Sequence, residues 1–579
     1  MHQKTYRMAD VPNDEVREVL SEYSPLVQTL LLRRGILTSE DAERFLRPDW
    51  ERDTHDPFLL TDMEKAVERI FSAIDAEEHI VIYGDYDADG IPASVILHDF
   101  FVKVKYPHFS NYMPHRHNEG FGLNTEAIEE FANRNVSLIV TVDCGIADTE
   151  PIAHARELGM DVIVTDHHIP GESLPDAYAI VDPKRSDDTY PDDMLCGAGL
   201  AFKLAHALLI RGRESGRFDV PEEWEKWLLD MVGVATIADM VPLVKENRVL
   251  AYFGLKVLQK GVRLGIRALC SSAKCAHETL TEGDVGFTIG PRINAASRMD
   301  HPDVAFRLLS AINQGDAEEA ATHLENLNNE RKTLVATMMR QIHKKIDTDA
   351  LPDVIVLGDP SWRVGVLGIA ANKLMEEYGR PVFLWGREGA EKIRGSARSD
   401  GSVDVVELMR ALPEGVLPES GGHAEAGGFE VAFDAVHTLG EELNKAYREV
   451  RRDILEEEVV IDAVLSIDDI HERTFHDMNQ LAPFGMRNPK PLFWFRDVTI
   501  SDVSVFGKGK EHLKLTFHNS RGGAIDAIAF FTLPNAYGDE LTPGMTINMI
   551  ATMEQSFFRN RLELRLRIED VKVQMPNEK

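Results

Sequence analysis

The sequence predicts a multidomain α/β protein that ends in a small β-barrel. Three observations lead to it. Short apolar, β-rich runs alternate with amphipathic stretches over the first half of the chain. A long helical stretch, around 315–347, separates that half from a second α/β pattern. The last section, about 456–579, has alternating strands and many turn residues but little helix. At roughly 100–200 residues per domain, 579 residues suggest three or four domains.

Taken in order, residues 1–54 read as a helical segment, with Thr38 and Asp41 spaced as a capping box and Pro48 ending the helix they open. Residues 55–312 carry the runs HIVIYG, SLIVTVD (137–143) and DVIVTDHH (161–168), each closed by polar residues. Stretches such as NTEAIEEFANRN and PIAHARELGM lie between them, which is the strand–helix alternation of a parallel, doubly wound sheet. Residues 313–349 form the connecting helix, and 350–455 hold a smaller α/β unit opened by DVIVLGD. Residues 456–579 contain HLKLTF, GAIDAIAFF and RLELRLRIEDVKV, strand patterns of a small barrel.

The chain carries 63 Lys+Arg against 96 Asp+Glu, a net charge of −33, which disfavours unguided binding to membranes or nucleic acid. From residue 488 onward the balance is close to even, about 12 Lys/Arg against about 11 Asp/Glu, so the β-rich section is the polyanion-facing surface to expect. Four cysteines without a CxxC pair exclude a disulfide scaffold and disfavour a thiol-rich zinc site. The N-terminus has no apolar core of a secretory signal, and no apolar run approaches the roughly 20 residues of a membrane span. The expected location is the cytoplasm.

The sharpest local signal is Asp85-Tyr86-Asp87-Ala88-Asp89-Gly90. An EF-hand would need a Glu at the twelfth loop position, where Ile96 stands, and a preceding helix, where HIVIYG reads as a strand. The alternative is a metal centre at strand ends. Asp143 closes one run, Asp166, His167 and His168 another, and Asp239 follows GVATIA. The carboxyl ends of parallel strands form the ligand crevice of such a sheet. Carboxylates with imidazole suit Mn²⁺ or Mg²⁺, and a shared carboxylate would let them hold two ions about 3.5–4 Å apart. A lone Asp at a strand end is more often a turn former, so it is the concentration of acids that favours the metal reading.

DYDADG, TVDCG, TDHH and IADMVPL stand in the order of the four motifs of the DHH phosphoesterase superfamily. YMPHRHNEGFGLN (112–124), VDPKR (181–185), CGAGLAFKL (196–204), GPRINAASRM (290–299) and LNNERK (327–332) resemble the RecJ family of bacterial single-strand-specific exonucleases. So do WRVGVLGIAANKL (362–374), RGSARS (394–399), GGHAEAGG (421–428) and APFGMRNP (482–489). The resemblance covers nearly the whole chain. Pro92 and Ser297 depart from it without removing a proposed ligand.

The resemblance implies a DHH catalytic domain, a DHHA1-type domain and an OB-fold, acting as a two-metal 5′→3′ exonuclease on single-stranded DNA in repair and recombination. It implies one ion on Asp87 and Asp143, with Asp85 a weaker ligand, and a second on Asp89, Asp143, His167 and Asp239. His168 would face the scissile phosphate, with Asp166 orienting an imidazole. Gly90 would let the backbone turn tightly beside the ions. Arg116, Ser396 and Arg398 would grip the 5′ end, helped by Gly421, Gly422 and His423, with Arg292 and Asn294 in support. A single-strand-binding protein and a helicase are the partners expected. In the barrel, Phe506, Phe557 and Phe558 near Lys508, Lys510, Arg559 and Arg561 are candidates for base stacking, although most aromatics in a small barrel are core. Two other readings stay open: a phosphodiesterase of short oligonucleotides or cyclic dinucleotides, and an inactive DNA-binding scaffold. The added barrel weighs against the first, and the full set of acids against the second.

Overall fold

The computed structural model describes residues 5–388, 391–452, 458–507, 509–538, 540–558 and 561–572. The chain forms two compact units. One takes in His55–Val241 and Leu250–Glu456, the other Lys4–Thr54, Pro242–Val249 and Glu457–Lys579.

The first unit opens with a five-stranded parallel sheet. The order across it is Phe109–Tyr112, His79–Gly84, Val136–Val142, Asp161–Thr165, Ala179–Val181. Numbered along the chain, these strands run 2-1-3-4-5. The chain therefore steps to one side after its first strand and to the other side thereafter. That reversal leaves a crevice between the carboxyl ends of the first and third strands. The strands are apolar along nearly their whole length because helices cover both faces.

The connecting helix is Gln314–Lys345, about 48 Å long at 1.5 Å per residue. Asn313 caps it by accepting from the Asp316 N–H, and His343, Lys344 and Lys345 place positive charge at its C-terminus. Its buried stripe, including Ala317, Ala321, Leu324, Asn328, Val335, Met338 and Ile342, recurs at three- and four-residue steps, as expected of a packed helix. Beyond it, a second sheet runs Glu419–His423, Ala426–Val431, Ile393–Arg398, Val382–Gly386, Ile355–Asp359. Only the last pair is parallel.

Two expectations need correction. GVATIA was expected to behave as the apolar run before another strand-end acid, but it lies in the helix Leu229–Ala238, and Asp239 is that helix's C-cap. The helix is buried on nearly all sides, so its sequence lacks the 3.6-residue periodicity that would have marked it. Residues 1–54 read in the sequence as a helical segment. They also contain a strand, Thr5–Met8, which pairs in parallel with Glu458–Ile461. Their helices share one core with the C-terminal sheet, where Leu20, Leu30, Leu31, Met478, Phe493 and Phe495 pack together.

That sheet has seven strands in the order Ala463–Leu465, Phe493–Thr499, Thr546–Phe558, Arg561–Lys572, Ala524–Ala529, His512–His518, Asp502–Phe506. Among the described residues, no helix is long and apolar enough to cross a membrane.

Candidate metal centre and chain-end pocket

The parallel ladder continues one residue beyond each strand, and this sets the acids in a row. Asp85 N–H donates to Val142 O (3.3 Å), Asp143 N–H to Thr165 O (3.0 Å) and Asp166 N–H to Val181 O (3.2 Å). After Asp85 the chain turns into the helix Gly90–Lys103. A β-carbon at Gly90 would lie 2.6 Å from Asp85 Cβ, so only glycine closes this turn. Asp87 Oδ1 accepts from the Asp89 N–H (2.8 Å), and Asn294 Oδ1 accepts from the Ala88 N–H (2.9 Å). Asp143 sits at φ +64°, a conformation that bulky side chains avoid, which turns its carboxylate into the crevice.

The helix Gly197–Glu214 abuts this row. Its first two N–H groups, from Gly197 and Ala198, donate to the two oxygens of Asp89, both at 2.7 Å. Those N–H groups have no partner inside the helix and carry its positive dipole end. A β-carbon at Gly197 would fall 2.5 Å from Asp143 Cβ. This anchoring was missed in the sequence, where CGAG registers only as part of a longer segment.

Three groups of possible ligands result. Asp85, Asp87 and Asp143 form one, Asp89, His167 and Asp239 a second, and Asp143, His167 and His168 a third. His167 Nε2 stands 3.1 Å from Asp143 Oδ1, 3.7 Å from Asp89 Oδ2 and 3.8 Å from Asp239 Oδ2. Burial, followed by the charges of neighbouring acids, raises the pKa of Asp85 and Asp143 well above the usual carboxylate range. The same causes bring Asp89 to about 7 and Asp239 to about 8. Burial, then the charge of His168, depresses His167 to about 3, so its imidazole is neutral and able to ligate. His168 behaves oppositely. Burial works against its charge, but the hydrogen bond from Nδ1 to Asp166 Oδ1 (2.7 Å) and that residue's charge raise it to about 9. Asp166 also accepts from the backbone N–H groups of Ile146, His167 and His168; burial works against its charge, but the His168 hydrogen bond and charge, then the Ile146 N–H, hold its pKa below the ordinary value.

This donor set fits divalent cations. Asp85 Oδ1 and Asp143 Oδ1 are buried and accept no hydrogen bond, although His167 Nε2 lies within 3.1 Å of the latter. The ring nitrogen and the oxygen are close without being aligned as donor and acceptor. Crowded carboxylates that protein donors leave unsatisfied are stabilised by Mn²⁺ or Mg²⁺, and hard oxygen ligands with one imidazole suit both.

Beside the acid row lies a cavity of about 550 Å³. Tyr86, Arg116, His117 and Arg298 line it from one side, and Gly365, Gly368, Ser396, Arg398, Gly421 and Gly422 from the other. The Arg116 guanidinium rests over the Tyr86 ring at 4.9 Å. Arg398 donates to Ser396 Oγ (3.1 Å) and Ala397 O (2.7 Å). Burial and then Arg116 lower the pKa of both Arg298, to about 9, and Arg398. Like charges gathered in this way mark an anion site.

Of the residues singled out in the sequence, two lie apart from these sites. Arg292 is buried and committed to Glu325 (2.6 Å) and the Thr288 carbonyl (2.8 Å), so it braces two helices rather than facing the pocket. His423 is exposed at the end of its strand and does not line the cavity. Arg298 was overlooked. It lies six residues after Arg292 on one helix, about 240° around the axis, so only one of the two can face the cavity. In the C-terminal sheet, Phe506 packs against His512 and Phe530, while Phe531 is 81% exposed. Lys508 and Arg559, and the side chains of Phe557, Phe558 and Arg561, lie outside the described residues.

Comparison with known proteins gives these sites a context. Residues 79–236 match the DHH family, N-terminal domain, residues 351–450 the DHHA1 domain and residues 461–570 the RecJ OB domain. The chain is 37% identical to the single-stranded-DNA-specific exonuclease RecJ of Bacillus subtilis over 97% of its own length and 70% of that protein's. It is 33% identical to the Escherichia coli protein of the same name, covering 89% of this chain and 91% of the relative. The crystal structure of Thermus thermophilus RecJ in complex with Mn²⁺ superposes with a TM-score of 0.81 at 28% identity, over 99% of this chain and 80% of that one. The Mg²⁺ complex from the same organism gives 0.76 at 26%, over 99% and 79%. With an acid row at the switch point of its first sheet, and 37% and 33% identity to relatives matched over 70% and 91% of their lengths, the chain belongs to the RecJ family of single-stranded-DNA-specific exonucleases.

Proposed function

We propose that this chain degrades single-stranded DNA from its 5′ end to 5′-mononucleotides, using two Mn²⁺ or Mg²⁺ ions, in cytoplasmic DNA repair and recombination. One observation carries the reading. Tyr86 stands between Asp85 and Asp87 in the acid loop and also lines the arginine cavity, so a metal centre and an anion site adjoin within a single unit.

When bound, a pair of divalent cations lowers the pKa of the attacking water and neutralises the phosphodiester. Asp87 and Asp143, with Asp85, would hold one ion, and Asp89, Asp143, His167 and Asp239 the other. Asp89 is pinned by two N–H groups and Asp87 by its own loop, so the ligands are fixed before any ion arrives. Asp166 holds His168 charged and oriented through Nδ1, which leaves Nε2–H to donate to the attacked phosphate. Arg116, Arg298 and Arg398, with Ser396, take the terminal phosphate, whose extra charge and acceptor oxygens suit guanidinium donors. Gly421 and Gly422 let the chain end approach the backbone closely. Polarity follows: cleavage occurs at the bond that reaches the acids when a 5′ end occupies the cavity.

The test uses single strands labelled at either end, with a duplex control and a short-oligonucleotide competitor. A 5′ label should appear first as mononucleotide, with duplex resistant. Release from the 3′ end would overturn the polarity, and preference for the short competitor would favour an oligonucleotide phosphodiesterase.

A further inference from the structure

The four cysteines divide into two classes. Cys144 and Cys196 are fully buried, and burial drives their thiols far above the ordinary range, which leaves them inert. Cys270 and Cys275 sit together at the end of the helix Leu264–Ala273. That helix stops on Lys274 at φ +61°, and the chain folds back so that Cys275 N–H donates to Cys270 O at 3.0 Å. A helix end of this kind brings the side chains on either side of the left-handed residue into contact. Here the residues that this turn brings together are the two cysteines. Cys270 is 1% exposed, whereas Cys275 is half-buried. Both line a polar cavity of about 590 Å³, together with Arg267, Ser271 and His277.

We propose that Cys270 and Cys275 form a peroxide-reactive dithiol that closes to a reversible intrachain disulfide. The more accessible Cys275 is the attacking sulfur. Its sulfur takes the terminal oxygen of a hydroperoxide, giving a sulfenic acid and releasing the alcohol, or water from hydrogen peroxide, once a proton is taken up. The Cys270 sulfur then displaces hydroxide from that sulfenic acid. The S–S bond forms, the Cys270 proton leaves with the hydroxide as a second water, and two thiols have been oxidised by one peroxide. The hydrogen bond from Cys275 N–H to Cys270 O keeps the two residues on one turn. None of the proposed metal or phosphate groups takes part.

The experiment uses the full chain, reduced, freed of reductant and treated with one equivalent of hydrogen peroxide. Free thiols are counted, and alkylated digests are analysed by mass spectrometry. The expected result is loss of two of four thiols, a Cys270–Cys275 cross-linked peptide two hydrogens lighter, and full recovery with dithiothreitol. Cys275→Ser should abolish the rapid loss. Cys270→Ala should leave Cys275 as a sulfenic or sulfinic acid. Four thiols surviving in the wild type, Cys275 over-oxidised there without a cross-link, or unchanged thiol loss in Cys275→Ser would each overturn the proposal.

Discussion

Asp143 concentrates the chemistry of the centre in one residue. It neighbours the other acids and His167, and its Oδ1 is unsatisfied. Asp143→Ala should remove activity at every Mn²⁺ concentration, because both assigned ions lose a ligand. More than a few per cent of wild-type turnover in a folded variant would show that the acid is not shared. A second expectation concerns pH. Asp89 at about 7 and Asp239 at about 8 lie above the ordinary 3.8, so the metal-free folded chain keeps protons that the unfolded chain releases. Their stabilising effect is complete below the unfolded value and is lost as pH rises through the folded values. Tm without metal should therefore fall between about pH 4 and pH 8, and the increase in Tm on adding Mn²⁺ should grow over the same range. A Mn²⁺ effect independent of pH would contradict this. The acids were legible in the sequence because each closes an apolar run with a polar break. Arg298 was not, since a helix gives no linear sign of which of two arginines faces a cavity.

At the scale of elements, function depends on where the strands stop and on what presses against their ends. The strand-end row was visible as apolar runs closed by acids, but the helix Gly197–Glu214 that pins Asp89 was not. Its contribution is two backbone N–H groups and the absence of one side chain. Gly197→Ala places a methyl 2.5 Å from Asp143 Cβ, and overpacking of this kind costs typically 1–3 kcal/mol, about five- to 150-fold in an equilibrium constant. The expected outcome is a folded protein with Mn²⁺ affinity weakened on that order, measured by titration calorimetry. Unchanged affinity would mean that the helix end does not position the acids. The helix before Asp239 escaped recognition for a different reason: buried all round, it shows neither helical nor strand alternation.

On the scale of the whole molecule, the chain packs as two compact units, neither of them continuous in sequence. Sequence order could not show that residues 5–54 pack into the core of the C-terminal sheet, because local patterns carry no information on distant partners. Cutting the chain after residue 456 would strand Leu20, Leu30 and Leu31 without their apolar partners. A chain reduced to residues 55–456 avoids this. It should bind long single strands more weakly, with a flatter salt dependence, while still cleaving a very short oligonucleotide. Equal affinity and an equal salt slope would remove the OB domain from strand binding.

In the proposed mechanism a chain-end pocket beside the metal centre sets polarity, and Arg398 offers the most direct access to it. Losing one charge-assisted contact to a terminal phosphate costs on the order of 1.5–3 kcal/mol, about ten- to a hundredfold. The decisive measurement is kcat/KM on matched 5′-phosphate and 5′-hydroxyl single strands, for the wild type and Arg398→Ala, with Mn²⁺ affinity followed in parallel. The expected result is a drop of that size on the 5′-phosphate strand, a much smaller one on the 5′-hydroxyl strand, and unaltered Mn²⁺ binding. An equal drop on both strands would contradict it and make Arg398 a general backbone or structural contact.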